Sequence, residues 1–242
     1  MSTWTHWHNR FAERARRPLP HLDDAAELPA AWHAPLARSL ARFQIGEAGE
    51  GRIAHQVARV TLPAVDDEYR AALRLFVREE GRHARILGGM VRGLGGELLR
   101  TTWSERLFVR VRRLAGFRLK ILVLLAAEVV GIGFYGSIAA RLPAGKLRAA
   151  LEEITGDEAS HLDFHVDFLR RQIDGAGARW LARAAWLSIA GIACALVVVD
   201  HGGTYAQVGV GRRRALVDYA WRILAVERAL TGPAPARAAA EP

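Results

Sequence analysis

The chain is poor in the residues that several chemistries require. It has a single cysteine, Cys194, which excludes an internal disulfide and any cysteine-built cluster. Lysine is nearly absent: Lys120 and Lys146 are the only two, so the net charge of +9 comes from arginine. The arginines are spread along the chain, with local clusters at Arg110, Arg112 and Arg113 and at Arg212, Arg213 and Arg214. Such a spread reflects composition more than a binding patch, and no nucleic-acid-binding motif accompanies it. Strand-like alternation does not persist anywhere, and there is no glycine-rich phosphate loop. The first residues, MSTWTHWHNRFAERARR, lack the apolar core of a signal peptide. The expected location is the cytoplasm.

Apolar residues, in contrast, are plentiful. They make up 51% of the 242 residues, enough for one large core. The longest apolar run, Ile121 to Ala140, reads ILVLLAAEVVGIGFYGSIAA and holds one charge, Glu128, near its middle. About 20 apolar residues suit a membrane span. They also suit the central helix of a bundle, provided that the buried carboxylate finds partners.

Taken in order, residues 1–37 read as an arm. Trp4, Trp7, Phe11 and Trp32 are its anchors, and Pro18, Pro20, Pro29 and Pro35 interrupt it. From Ala37 to about Val60, Leu40, Phe43, Glu47, Glu50, Ala54 and Val57 recur at helical spacing on one face. Pro63 ends this helix, and Asp66 and Asp67 are candidate caps for the next. That helix runs to about Gly93 and turns Leu73, Phe76, Glu80, His83 and Leu87 to one side.

A long connection follows, with Leu107, Phe108, Val109, Val111, Leu114 and Phe117 interleaved with arginines. It reads as a short covering helix, with a basic strip lying on an anionic membrane as the alternative. The apolar helix spans about Phe117 to Arg141, and its successor about Lys146 to Ile173. A second apolar helix spans about Ala178 to Val199; its charge-free part is short for a bilayer. A last helix lies near Arg212 to Leu230, before a tail expected to be disordered.

Two patterns repeat. Glu47 precedes Glu80-Gly81-Arg82-His83 by 33 residues, and Glu128 precedes Glu158-Ala159-Ser160-His161 by 30. In each half an inward Glu on one helix is followed by E-x-x-H on the next. The spacing of three puts Glu and His on adjacent turns of one face, so both can reach one ion. Four Glu and two His from four helices are the ligand set of di-iron and di-manganese carboxylate bundles. Four carboxylates balance two divalent ions, and oxygen ligands with two imidazoles suit iron or manganese. A buried salt-bridge network without metal is the competing reading.

The segments FQIGEAGEGR (43–52), REEGRHAR (78–85), AAEVVGIGFY (126–135) and GDEASHLDFH (156–165) resemble the ferritin-like superfamily, most closely its rubrerythrin-like and di-iron hydroxylase-like members. The resemblance covers residues 38–172. It implies an all-α fold: a ferritin-like four-helix bundle with a long crossover. Residues 1–37 form an N-terminal arm, 173–230 a C-terminal extension of two helices and 231–242 a tail. It implies two iron ions, or an iron–manganese pair, held by Glu47, Glu50, Glu80, His83, Glu128, Glu158 and His161. Both Glu47 and Glu50 point inward. Glu47 is taken as bridge or terminal ligand and Glu50 as a seventh ligand or a neighbour of the ligands, with the reverse order open. Glu79 and Asp157 lie about 100° round their helices from the ligands, solvated or just behind them. His165, one turn after His161, reads more readily as a packing histidine than as a ligand. Tyr135 shares the face of Glu128 and could hydrogen-bond a ligand or act as a redox-active phenol. His55 falls outside the inward face.

The activity implied is that of an oxidase or oxygenase acting with O₂ or peroxide. A chain without a C-x-x-C pair carries no rubredoxin-like part, so the electron donor is a separate, unknown partner. The alternatives are iron binding or detoxification without an organic substrate, and a non-catalytic membrane-associated helical protein. Peripheral membrane contact and a homodimer are both open.

Overall fold

The computed structural model describes residues 4–22, 28–49, 51–101 and 116–232. Among them every regular element is a helix. The order is α1 (Thr5–Arg14), α2 (Ala30–Ala48), α3 (Gly51–Val57), α4 (Asp67–Gly93), α5 (Phe117–Ala139), α6 (Lys146–Arg170), α7 (Gly175–Asp200), α8 (Gly202–Gln207) and α9 (Arg212–Thr231). Two pairs make the body: α2 packs on α4, and α5 on α6. Contact between α4 and α6 joins the pairs. Helices α7 and α9 pack on each other and against α5, while α1 lies along α4.

Local chemistry explains the start of α4 and the end of α2. Asp66 caps α4, its carboxylate accepting the backbone N–H of Tyr69 at 2.7 Å, and Asp67 is already the first helical residue. The single helix expected over 37–60 is instead two, because α2 stops at Ala48 and α3 starts at Gly51. Glycines 49 and 51 flank the break, where glycine is a weak helix former. Helix α2 also starts earlier than expected, at Ala30, and carries Pro35 in its second turn. A proline near a helix start removes few internal hydrogen bonds, and the Pro35 carbonyl accepts one from Thr204 at 2.8 Å. Residues 30–37 of the expected arm therefore belong to α2.

The arm also holds a helix that periodicity missed. Trp4, Trp7 and Phe11 of the α1 region are buried against Tyr69 and Phe164. Burying such side chains stabilises by about 1.5–3 kcal/mol each. Trp4 donates its indole N–H to the Ala64 carbonyl at 2.8 Å, and Trp7 donates to Asp167 at 2.9 Å. The connection expected to be a covering helix falls largely on 102–115, outside the described residues, as does the tail from 233.

Helix α5 is buried on nearly all sides; 83% of its most apolar stretch lies inside the protein. Its glycines admit neighbours. A Cβ on Gly133 would stand 2.2 Å from the Tyr219 ring of α9. Only glycine lets α9 approach so closely there, and the Tyr219 hydroxyl then donates to the Val130 carbonyl at 3.0 Å.

Candidate metal centre

Helix α4 presents Glu80 and His83 inward, and α6 presents Glu158 and His161, each pair one turn apart on a buried face. The four side chains meet with one ligand atom each, all within 4.8 Å of one another. His161 Nδ1 stands 2.8 Å from Glu80 Oε1 and 3.1 Å from Glu158 Oε2. His83 Nδ1 stands 3.0 Å from Glu158 Oε1 and 3.9 Å from Glu80 Oε1. Each histidine therefore faces the Glu of the other helix as well as its own.

Glu128 enters from α5. Its carboxyl hydrogen-bonds Glu158 and lies 3.9 Å from His161 Nδ1. Glu47 enters from α2, hydrogen-bonded to Glu80 and receiving the Tyr135 hydroxyl at 2.6 Å. Tyr135 thus reaches across from α5 to hold a carboxylate on α2. Glu50 lies outside the described residues. His55 is exposed and away from the cluster.

Glu79 and Asp157 are not solvated; both are buried. Their roles cross over. Glu79 of α4 takes Nε2 of His161 at 2.8 Å, and Asp157 of α6 faces Nε2 of His83 at 3.3 Å. A carboxylate on the far nitrogen fixes a ring's orientation and turns its other nitrogen inward. A further ring of charge comes from the arm. Arg14 lies 3.1 Å from Asp157 and 3.6 Å from Glu79, and it donates to Ser160 at 2.8 Å. Arg17 reaches Asp157 at 3.0 Å. Sequence reasoning missed Arg14 and Arg17. An acidic residue directly before each E-x-x-H was a visible signal for the crossed pairing; nothing in the arm's sequence marked its arginines.

The electrostatics follow from burial and like charge. Burial pushes the Glu128 carboxyl well up from its ordinary pKa, and neighbouring Glu158 and Glu80 push it further. Burial opposes ionisation of Glu158 as well, but hydrogen bonds from Glu128 and the histidines, with the positive charge of His83, hold it well below the usual carboxylate range. Burial and Glu158 raise Glu47. Burial would keep the histidines neutral, yet Glu158 and Asp157 push His83 up to about 9. Glu158 and Glu79 likewise push His161 well up. In the metal-free chain, both imidazoles and Glu128 are therefore shifted toward holding their protons among the carboxylates.

A cation fits this cluster in place of those protons. His83 Nδ1 and Glu158 Oε1 face each other at 3.0 Å in the interior, and both belong to ligand types that iron and manganese accept. The arrangement defines an all-helical protein with a buried carboxylate–histidine cluster compatible with a di-metal site. No family model matches the chain, and neither a curated protein nor a solved structure matches it.

Proposed function

We propose that the chain is a ferritin-like di-iron, or iron–manganese, protein that acts as an oxidase or oxygenase with O₂ or peroxide. The observation that supports this best is the crossed pairing. Each ligand histidine has its Nε2 engaged by a buried carboxylate from the other half, and its Nδ1 aimed at the cluster. A simple salt-bridge network has no need of such oriented rings. One ion would be held on the side of Glu47 and His83 and the other on the side of Glu128 and His161, and Glu80 and Glu158 would complete the ligand set. Such a metal pair, when bound and reduced by a separate electron donor, would supply the electrons for O₂ or peroxide chemistry.

The chain's own residues set the conditions. Tyr135 holds Glu47 in position through its hydroxyl. Phe11 and Phe76 pack edge-on against the His161 ring and keep water from it. Glu79, Asp157 and Arg14 hold the rings from behind. Elemental analysis of purified, reconstituted protein, with optical spectra before and after reduction, tests the reading. Two ions per chain are expected, and one or none overturns it. Aerobic turnover of an organic co-substrate marks an oxygenase; iron oxidation alone marks an iron-handling protein.

A second observation bears on location. Helix α7 is as apolar as α5, but only 28% of its apolar stretch is buried. Trp180, Leu181, Ile192 and Val199 are exposed on α7, and Leu216, Val217 and Trp221 on α9. The helices run antiparallel, since Arg183 pairs with Glu227 at 3.0 Å and Trp186 donates to the Ile223 carbonyl at 2.9 Å. One end carries exposed Arg179 and Arg228, the other exposed Arg212, Arg213 and Arg214. We infer that this face rests on an anionic bilayer. A second copy packed face to face, in either sense, would set arginines against arginines, whereas anionic lipid satisfies both ends.

A further inference from the structure

His165 lies on α6 one turn beyond His161 and is completely buried. Neither of its ring nitrogens makes a hydrogen bond. The other buried histidines are different. His83 and His161 each have Nε2 on a carboxylate, and His201 has Nδ1 on Ser39 at 2.8 Å. His165 is packed between Phe76 and Phe164, which fixes its ring without satisfying it. Its Nε2 points at the cluster and stands 3.4 Å from Glu128 Oε1.

An imidazole with two unmet nitrogens is an expensive group to keep in an apolar interior. A packing role would be served better by Phe or Leu. A role as hydrogen-bond partner to Glu128 would bring the two atoms into hydrogen-bonding geometry, which they do not have. A cation between Glu128, Glu158 and His161 would lie within reach of His165 Nε2.

Resting on the di-metal reading, we propose that His165 is a further protein ligand, giving the Glu128 ion a second nitrogen while the Glu47 ion keeps one. The two ions are then unequal. The Glu128 side, with Glu158, His161 and His165, binds first and tightest, and the Glu47 side fills second. The two halves share the Glu and E-x-x-H pattern but part at this position: nothing equivalent follows His83, where the corresponding residue is Leu87.

Anaerobic titration with Co(II) tests this, read by visible spectra and by proton NMR of the paramagnetic protein. Each coordinated imidazole contributes one strongly shifted, exchangeable ring N–H signal. Three are expected from the full-length wild type and two from His165→Gln, which keeps a hydrogen-bonding group but offers no imidazole. The first binding step should weaken by more than the roughly 10–100-fold that loss of a supporting residue causes, and the second step should change little. Two shifted signals from wild type, or unchanged first-step binding in His165→Gln, overturn the proposal while leaving the di-metal reading intact. A wild type that binds no Co(II) overturns both. The wild-type signal count decides even if the variant fails to fold.

Discussion

Helices α5 and α7 have nearly the same length and apolar character, and by length and composition both could cross a membrane. The protein treats them oppositely. Helix α5 is enclosed by α6, α7 and α9 and carries its one central charge into the cluster. Helix α7 buries a narrow stripe, Trp186, Ala190, Ala193, Cys194 and Val198, and leaves the rest outside. Its charges sit near its ends: Arg179, Arg183 and Asp200. An apolar run therefore states only that water is unwelcome. Where the charges sit states what replaces water: a charge in the middle needs partners inside the protein, and charges at the ends suit an interface.

The largest expected effect is at Glu128. Glu128→Leu should abolish one metal site, yet leave the metal-free protein as stable as wild type or more so, because a buried ionisable group is replaced by an apolar one. With anaerobic Fe(II) the order should reverse, since saturation at about 100–1,000 times Kd stabilises by roughly 3–4 kcal/mol. The pH dependence has a definite sign. The folded-state pKa of Glu128 is raised, so its contribution is full below the ordinary carboxylate pKa and is lost as pH rises above it. Metal-free wild type should therefore weaken relative to the variant as pH increases. A variant less stable than wild type without metal, in thermal melts, would break the comparison: α5 would then be an ordinary core helix with a salt-bridged glutamate.

His161→Ala comes next. It removes the only imidazole that meets Glu79, Glu80 and Glu158 together, and stranding buried charge costs about 3–5 kcal/mol. Denaturant unfolding without metal should show that loss, and metal titration should show weakened binding. His83→Ala should weaken binding at the other ion. Full metal content in either variant would remove that histidine from the ligand set.

On the α7 side, the double variant Trp180→Ser, Trp221→Ser should reduce co-sedimentation with vesicles containing anionic lipid several-fold, and salt should release the wild type. Neutral vesicles should bind weakly. A stable dimer in solution with no vesicle binding would assign the face to a second copy instead. The smallest effect is expected at Gly133→Ala. The added methyl group must displace the Tyr219 ring, costing about 1–3 kcal/mol in an equilibrium unfolding experiment. A neutral result would mean that α9 sits more loosely on α5 than the packing implies.

Much of the centre was legible in the residue pattern. Glu80 with His83 and Glu158 with His161 are local pairs, and a helix places residues three apart together whatever surrounds it. The inward faces of α4 and α6 were legible for the same reason. The break between α2 and α3 was not, because residues 37–60 keep one period through the glycines. Nor was α1, a ten-residue helix whose hold comes from contacts with residues far along the chain. Glu79 and Asp157 look solvated on a helical wheel because their partners, His161 and His83, lie on the other half.

The sequence by itself determined that the protein is helical and that four helices each carry an inward carboxylate, two of them with a histidine one turn away. Those are consequences of period and spacing, which act over a few residues. Only the tertiary structure decided that the carboxylates preceding the ligands cross over to the opposite histidines, that the arm's Arg14 holds them, that His165 is left with unmet nitrogens beside Glu128, and that α5 is enclosed while α7 is bare. Each of these depends on which surfaces meet at long range, and an apolar helix contains no record of which of its faces another helix will cover.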